Sequence, residues 1–262
     1  MIKVNGIEIQ QGHYPDGTLL MKTPLQLTLH PSGIVVDWRY ENDAELFTII
    51  CLAKHFADRA KRLHLWYIPH ARMDRVKYET DVFTLKYFAE IINSLGFEEV
   101  MAMDVHSPVA EALLNNLYIA PVDHCIFRAM ENIGEENLEI FYPDNGSAKR
   151  YGQMLRRRCC YGVKDRDWET GEIRGLDVVG NINLIKGKNI LIIDDICSRG
   201  GTFYHSAKKL KELGAGKVYL YITHCENTIL EGELLKGDLI ERVYTTDSLF
   251  TGQHEKITVF EV

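Results

Sequence analysis

The sequence predicts an α/β fold of two similar lobes, each a parallel sheet flanked by helices. Three observations lead there. Apolar runs of strand length alternate with segments of helical period over most of the 262 residues. Several of those runs are apolar at every position, as strands covered on both faces must be. No proline-rich or low-complexity linker separates the halves, so two lobes in direct contact fit best, at 1–125 and 126–262.

In chain order, Ile34-Val35-Val36 reads as a strand. Between Ala44 and Leu63, the residues Leu46, Ile49, Ile50, Ala53, Phe56 and Ala57 recur at helical spacing. Leu63 to Ile68 reads as the next strand, stopped by Pro69. A helix from Thr84 to Leu95 carries Leu85, Phe88, Ala89, Ile91, Ile92 and Leu95, with Gly96 as its stop signal. Val100 to Met103 follows as a strand, with Asp104-Val105-His106 at its end. Glu139 to Tyr142 is a strand before Pro143-Asp144-Asn145-Gly146, a loop signature. Leu155 to Gly180 is polar and rich in Arg and Lys (Arg156, Arg157, Arg158, Lys164, Arg166, Arg174), and reads as a long loop or a hairpin. Ile190 to Ile193 is a β-branched strand. Phe203, Ala207, Leu210 and Leu213 form a helical stripe closed by Gly214, and Val218 to Ile222 and Ile257 to Phe260 read as further strands.

Composition narrows the function classes. With 46% hydrophobic and 26% charged residues the chain is an ordinary globular one, long enough to fold without disulfide staples. A net charge of −7 argues against a nucleic-acid or membrane-surface binder, because such surfaces need clustered Lys and Arg. No basic or apolar leader opens the sequence, and no apolar run nears the roughly 18 residues that span a bilayer. The expectation is a soluble cytoplasmic protein. The six cysteines include no Cys-x-x-Cys and are expected as reduced thiols. The ten histidines show no closed metal-site spacing. Asn145-Gly146-Ser147 reads as a turn and not as a glycosylation site.

The strongest chemical signal runs from Ile190 to Thr202. An apolar strand delivers Asp194 and Asp195 at its C-terminal edge, and the chain then passes through Ser198, Arg199, Gly200, Gly201 and Thr202 into a helix. Ligands of open α/β sheets bind at that edge. Glycines let backbone N–H groups approach a phosphate, and a helix N-terminus adds roughly half a positive charge. Adjacent carboxylates suit the vicinal hydroxyls of a sugar or a hydrated Mg²⁺.

This segment resembles the phosphoribosyl-diphosphate motif of type I phosphoribosyltransferases and of ribose-phosphate diphosphokinases. Five further stretches select the second family. His70-Ala71-Arg72-Met73-Asp74-Arg75 is similar to its Tyr-Ala-Arg-Gln-Asp-Arg nucleotide-binding stretch, and Met103-Asp104-Val105-His106 to its Met-Asp-Leu-His. Pro143-Asp144-Asn145-Gly146-Ser147-Ala148-Lys149-Arg150 is similar to its Pro-Asp-x-Gly-Gly-x-x-Arg loop. Tyr14-Pro15-Asp16-Gly17-Thr18 is similar to the Phe-x-Asp-x-Glu element that reaches a neighbouring subunit's ATP site. Lys164-Asp165-Arg166 falls where the family has the Lys-x-Arg of a mobile catalytic loop.

The resemblance implies two phosphoribosyltransferase-like lobes, an N-terminal one for ATP, and a homo-oligomer. It implies a Mg²⁺-dependent diphosphokinase that moves the diphosphate of ATP to the anomeric hydroxyl of ribose 5-phosphate or a related sugar phosphate, releasing AMP. Lys164, Arg166 and His106 would be catalytic. Tyr14, Asp16, Arg72, Asp74, Arg75 and His106 would bind ATP, the two arginines as bidentate phosphate donors. Asp144, Asp194, Asp195 and Ser198 to Thr202 would hold the sugar phosphate, with His106 and Asp144 on the metal. Departures bear on the acceptor. Ser198 and Arg199 stand where the family has Asp and Thr, Ser147 replaces a glycine, Thr18 a glutamate, the N-terminal region is shorter, and no closing helix follows Phe260. The loop thereby gains about two units of positive charge, which suits a bulkier acceptor such as ADP-ribose unless Arg199 pairs with a carboxylate. Two rivals to the diphosphokinase stay open on the sequence: a phosphoribosyltransferase and a catalytically silent regulatory homologue.

Overall fold

The structure, a computed structural model, describes residues 1–29, 33–157, 159–166 and 173–262, apart from the side chains of Leu29, 164–166 and 173–175. The chain divides into two compact units, Met1–Pro121 and Val122–Val262.

The first unit contains β1 (Ile2–Val4), β2 (Ile7–Glu8), β3 (Gln11–His13), β4 (Leu19–Met21), α1 (Leu25–Leu29), β5 (Ile34–Trp38), α2 (Ala44–His55), β6 (Lys61–Leu65), α3 (Thr84–Ser94), β7 (Glu99–Met103), α4 (Pro108–Leu113) and β8 (Leu117–Ala120). Its sheet runs β2-β1-β5-β6-β7-β8 among the described residues. The strands from β5 to β8 are parallel, while β1 and β2 add antiparallel at one edge. Ile34, Val36, Trp38, Leu63 and Leu65 pack with Ile49, Leu52, Phe88 and Ile92 of α2 and α3 into one core. The hairpin β3–β4 stands apart from that sheet.

The second unit contains α5 (Asp123–Ile133), β9 (Leu138–Tyr142), α6 (Asn145–Leu155), β10 (Cys159–Arg166), β11 (Ile173–Val179), β12 (Asn189–Cys197), α7 (Gly201–Glu212), β13 (Val218–Cys225), β14 (Arg242–Thr246) and β15 (Ile257–Phe260). Its sheet runs β11-β10-β9-β12-β13-β14-β15. All pairings are parallel except β10–β11. Ile190, Ile192, Leu220 and Ile222 pack on Phe203, Ala207 and Leu210 of α7. From β9 the chain winds through α6 to β10 on one side, then returns to lay β12 on the other. The order therefore reverses between β9 and β12, and the C-terminal ends of those two strands flank a topological switch point.

The structure corrects several sequence expectations. Each sheet keeps the expected parallel strands and adds an antiparallel edge, β1–β2 in the first unit and β11 in the second. The helical stripe ends at His55 rather than near Leu63, and β6 spans Lys61–Leu65 rather than 63–68. Asn145-Gly146-Ser147 is no turn: the Asp144 carboxylate accepts from the Ser147 backbone N–H and so caps α6, which starts at Asn145. The 155–180 region holds a hairpin, β10–β11; Arg158 and 167–172 lie outside the described residues. The units meet at 121/122 rather than 125/126, because α5 turns Cys125, Ile126, Ala129 and Met130 inward. Among the described residues all six cysteines are free, and no helix is long and apolar enough to cross a membrane.

Candidate active site

In the second unit, β9 and β12 lie side by side in parallel register and carry acidic residues to their C-terminal ends. Asp144 follows β9, and Asp194 and Asp195 end the apolar stretch of β12. Ser147, one turn into α6, joins them. Its hydroxyl donates to Asp194 Oδ1 at 2.6 Å and lies 3.2 Å from Asp144 Oδ1. Arg150, one turn further on, places Nη1 2.7 Å from Asp195 Oδ2, and Asp195 is only 4% exposed. Three carboxylates are thus held at these strand ends, two by the Ser147 hydroxyl and one by the Arg150 guanidinium.

Their electrostatics follow from that count. Burial pushes the Asp194 carboxyl well above its ordinary 3.8, helped by the charges of Asp195 and Asp144 and opposed by the Ser147 hydrogen bond. Because the folded value lies above the unfolded one, the unfolded chain loses its proton first as pH rises. Stability therefore falls as pH rises from about 3.8 through the raised value, and the loss is complete above it. Asp194→Asn keeps the shape and removes the charge. It should raise Tm at pH 7, by about 2–4 °C per kcal/mol recovered, with the gain vanishing in melts near pH 4. An equal gain at both pH values would show that charge is not the cause.

Beyond Asp195, β12 continues to Cys197 and the chain turns through Ser198, Arg199 and Gly200 into α7. Gly200 sits at φ +79°, a backbone region that favours glycine, and forms the N-cap. The first N–H groups of α7, at Gly201, Thr202 and Phe203, have no partner in the preceding turn and suit an anion. Cys197 is buried beside its register partner Cys225, whose thiol, together with burial, pushes the Cys197 thiol well up. Such a buried thiol lacks the exposed thiolate character of reactive cysteines. Arg199 does not stand as an uncompensated cation: Nη2 lies 3.1 Å from Glu231 Oε2. This is the pairing with a carboxylate under which ribose 5-phosphate is expected to remain the acceptor.

The Lys164-Asp165-Arg166 backbone completes β10. Since Tyr161 pairs with Tyr142, the last residue of β9, Lys164 lies three residues past the end of β9, about 10 Å further along at roughly 3.3 Å per residue. The strand thus runs on beyond the edge that carries Asp144. The side chains of Lys164 and Arg166 are outside the described residues.

In the first unit, β6 and β7 are neighbours, so the segments after their C-terminal ends meet. Asp74 is 8% exposed, and its carboxylate accepts from Arg75 Nε at 2.7 Å and Nη2 at 2.9 Å. The Arg75 fork, a hydrogen bond from Ser107 and the nearby His106 together hold Asp74 below the usual carboxylate range. Arg75 therefore spends the Nε–Nη2 edge of its guanidinium on Asp74 and keeps its Nη1–Nη2 edge. Arg72 is exposed. Asp104 adopts φ +45°, which turns the chain out of β7 toward His106; Ser107 then caps α4.

Tyr14 and Asp16 occupy the tip of the β3–β4 hairpin. Thr18 donates to Asp16 Oδ1 through its hydroxyl at 2.7 Å and its N–H at 3.0 Å, and these bonds hold Asp16 below its ordinary pKa. Tyr14 is 52% exposed. Thr18, where the family motif has a glutamate, thus orders the turn. Sequence reasoning gave Ser147 and Arg150 no role; the signal was their spacing after Asp144, which puts both on the first turns of one helix.

Among the described residues no three His, Cys, Asp or Glu side chains converge as a metal cage.

No known family profile matches the chain. It is 28% identical over 194 residues to a ribose-phosphate pyrophosphokinase of Marinomonas sp. (strain MWYL1), covering 70% of this chain and 59% of that one. It is 28% identical over 225 residues to the ribose-phosphate pyrophosphokinase of Saccharolobus solfataricus, covering 83% and 76%. The chain thus spans about three fifths to three quarters of the length of these relatives. Its fold matches the crystal structure of phosphoribosylpyrophosphate synthetase from Mycobacterium smegmatis with a TM-score of 0.80, at 16% identity, covering 97% of this chain and 86% of that one.

Proposed function

We propose that the chain is a member of the ribose-phosphate pyrophosphokinase family, to two of whose curated members it is 28% identical, and that it transfers the β,γ-diphosphate of ATP to the anomeric hydroxyl of ribose 5-phosphate, releasing AMP. One observation carries the reading: Asp144, Ser147, Arg150, Asp194 and Asp195 converge at the switch point of the second unit, directly before a Gly-Gly phosphate loop.

Asp194 and Asp195 hold the vicinal ribose hydroxyls as acceptors, with Arg150 aiming the Asp195 carboxylate. The N–H groups of Gly201 and Thr202, with Ser198 and Arg199, cradle the 5-phosphate. In the first unit Arg72, the remaining edge of Arg75, and His106 face the ATP phosphates, with Asp74 fixing the Arg75 fork. The transferring group is loose and metaphosphate-like, so catalysis is positioning and charge stabilisation. Lys164 and Arg166 supply positive charge as that group leaves AMP.

Mg²⁺ fits this residue set. The acidic excess of Asp144, Asp194 and Asp195 over Arg150 accommodates a divalent cation, and an ion held mainly by phosphate oxygens and water needs no preformed protein cage. His106 in the first unit and Asp144 in the second are each a candidate donor by themselves, and such an ion would neutralise phosphate charge. The active form is a homo-oligomer in which the exposed tip at Tyr14 and Asp16 completes a neighbour's adenine site. The acceptor is ribose 5-phosphate rather than ADP-ribose, a reading supported by Glu231, whose carboxylate 3.1 Å from Arg199 partly offsets the added charge of the loop.

The test supplies ATP, Mg²⁺, ribose 5-phosphate and ADP-ribose together and identifies products by mass spectrometry. AMP with phosphoribosyl diphosphate is the expected pair. AMP with diphosphorylated ADP-ribose would change the acceptor, and no sugar-dependent AMP would overturn the activity.

A further inference from the structure

We propose that the segment Glu226–Leu234 positions the phosphate loop and sets its charge, through Gly232 and Glu231; this rests on the reading of Ser198 to Thr202 as the acceptor-phosphate cradle. The segment touches the loop at successive points. The Glu226 N–H donates to the Cys197 carbonyl at 2.8 Å, just before the loop begins. A Cβ at Gly232 would lie 2.0 Å from the Arg199 carbonyl oxygen and 2.9 Å from its carbon. Both atoms are backbone, so any side chain at 232 must push the loop away. Gly232 has φ −81°, open to every residue, so close approach alone requires glycine here. Leu234 is fully buried under Gly200, where a Cβ would meet its Cδ2 at 2.8 Å.

The same segment brings a compensating charge. Glu231 lies next to Gly232 in sequence, and its carboxylate reaches Arg199 at 3.1 Å. Both side chains are more than half exposed, so water screens the pair and it opens at small cost. A phosphate entering the loop competes with Glu231 for the guanidinium. Glu231 is thus a specificity-determining residue that weakens anion binding by a cation otherwise fully available. Gly232 is a positioning residue that acts through the Arg199 backbone.

The probe is inorganic diphosphate, titrated calorimetrically into the full chain and its variants, alongside steady-state kinetics with ribose 5-phosphate. Glu231→Gln should bind diphosphate about 3- to 10-fold more tightly, with a steeper salt dependence and a KM for the sugar phosphate that falls more than kcat changes. The gain should disappear in an Arg199→Ala background. A purely structural role for Glu231 would not tighten binding. Gly232→Ala should bind at least about 10-fold more weakly while melting as one folded species. Unchanged or weaker binding in Glu231→Gln overturns the charge role, and unchanged binding in a folded Gly232→Ala overturns the positioning role. If Gly232→Ala does not fold, the Glu231 and Arg199 pair still decides. Wild-type protein that ignores diphosphate would refute the cradle itself and the proposal with it. Wild-type binding that neither variant alters would refute the proposal alone.

Discussion

Alanine at Lys164 should lower kcat by roughly 10²–10⁴-fold while leaving ATP affinity within a few-fold of wild type. The expectation follows from where charge develops. Under the proposed reaction, ATP in its ground state would already be neutralised by a divalent cation and by Arg72 and Arg75. As the diphosphate leaves AMP, negative charge shifts onto atoms that those groups do not cover. A cation delivered by the extended strand β10, past the edge carrying Asp144, acts only at that stage, so its loss appears in kcat. Arg166 should behave alike, and the double variant should lose less than the product of the two, because the residues act as a unit. Single-turnover rates with saturating ATP separate the cases. A tenfold weaker ATP affinity with normal turnover would make these residues ground-state binders.

Removing Arg150 should destabilise the protein by about 3 kcal/mol. Asp195 is 4% exposed, and Arg150 lies 2.7 Å from it. Breaking such a pair from one side strands a buried charge, at a typical cost of about 3–5 kcal/mol. The low end applies because the Arg150 side chain keeps 28% of its exposure. At roughly 2–4 °C per kcal/mol, Arg150→Met should melt about 6–12 °C lower. Arg150→Met with Asp195→Asn removes both charges and should recover most of that loss, though not activity. If the double variant melts as low as the single one, lost packing rather than a stranded charge is the cause.

The central strands were legible in the sequence because their patterns were long enough to be unambiguous. Ile190–Ile193 is β-branched and unbroken, and the stripe from Phe203 to Leu210 has helical period, so β12 and α7 emerged with the loop between them. β1 to β4 did not, since strands of two or three residues carry no period. Helix α5 was missed although Cys125, Ile126, Ala129 and Met130 share a face, and the domain boundary moved with it. At Asn145-Gly146 local turn chemistry pointed one way, while the Asp144 carboxylate, capping from outside, decided for helix. The site residues that resemble a family motif were found, but their partnerships were not. Ser147 meets Asp194 across 47 residues of sequence, and Arg199 meets Glu231 across 32. Those meetings depend on which strands lie side by side, which periodicity does not report. Arg199 is the clearest case: its charge was plain in the sequence, and its compensation was visible only in the fold.

The central claim is that a diphosphoryl group moves intact from ATP to an anomeric oxygen. ATP carrying distinguishable isotopic labels on its β and γ phosphorus atoms, incubated with Mg²⁺ and ribose 5-phosphate, tests it directly. The account predicts both labels in the sugar product at a one-to-one ratio, with unlabelled AMP as the other product. A product carrying the γ label alone, with ADP released, would identify an ordinary monophosphoryl kinase and contradict the account.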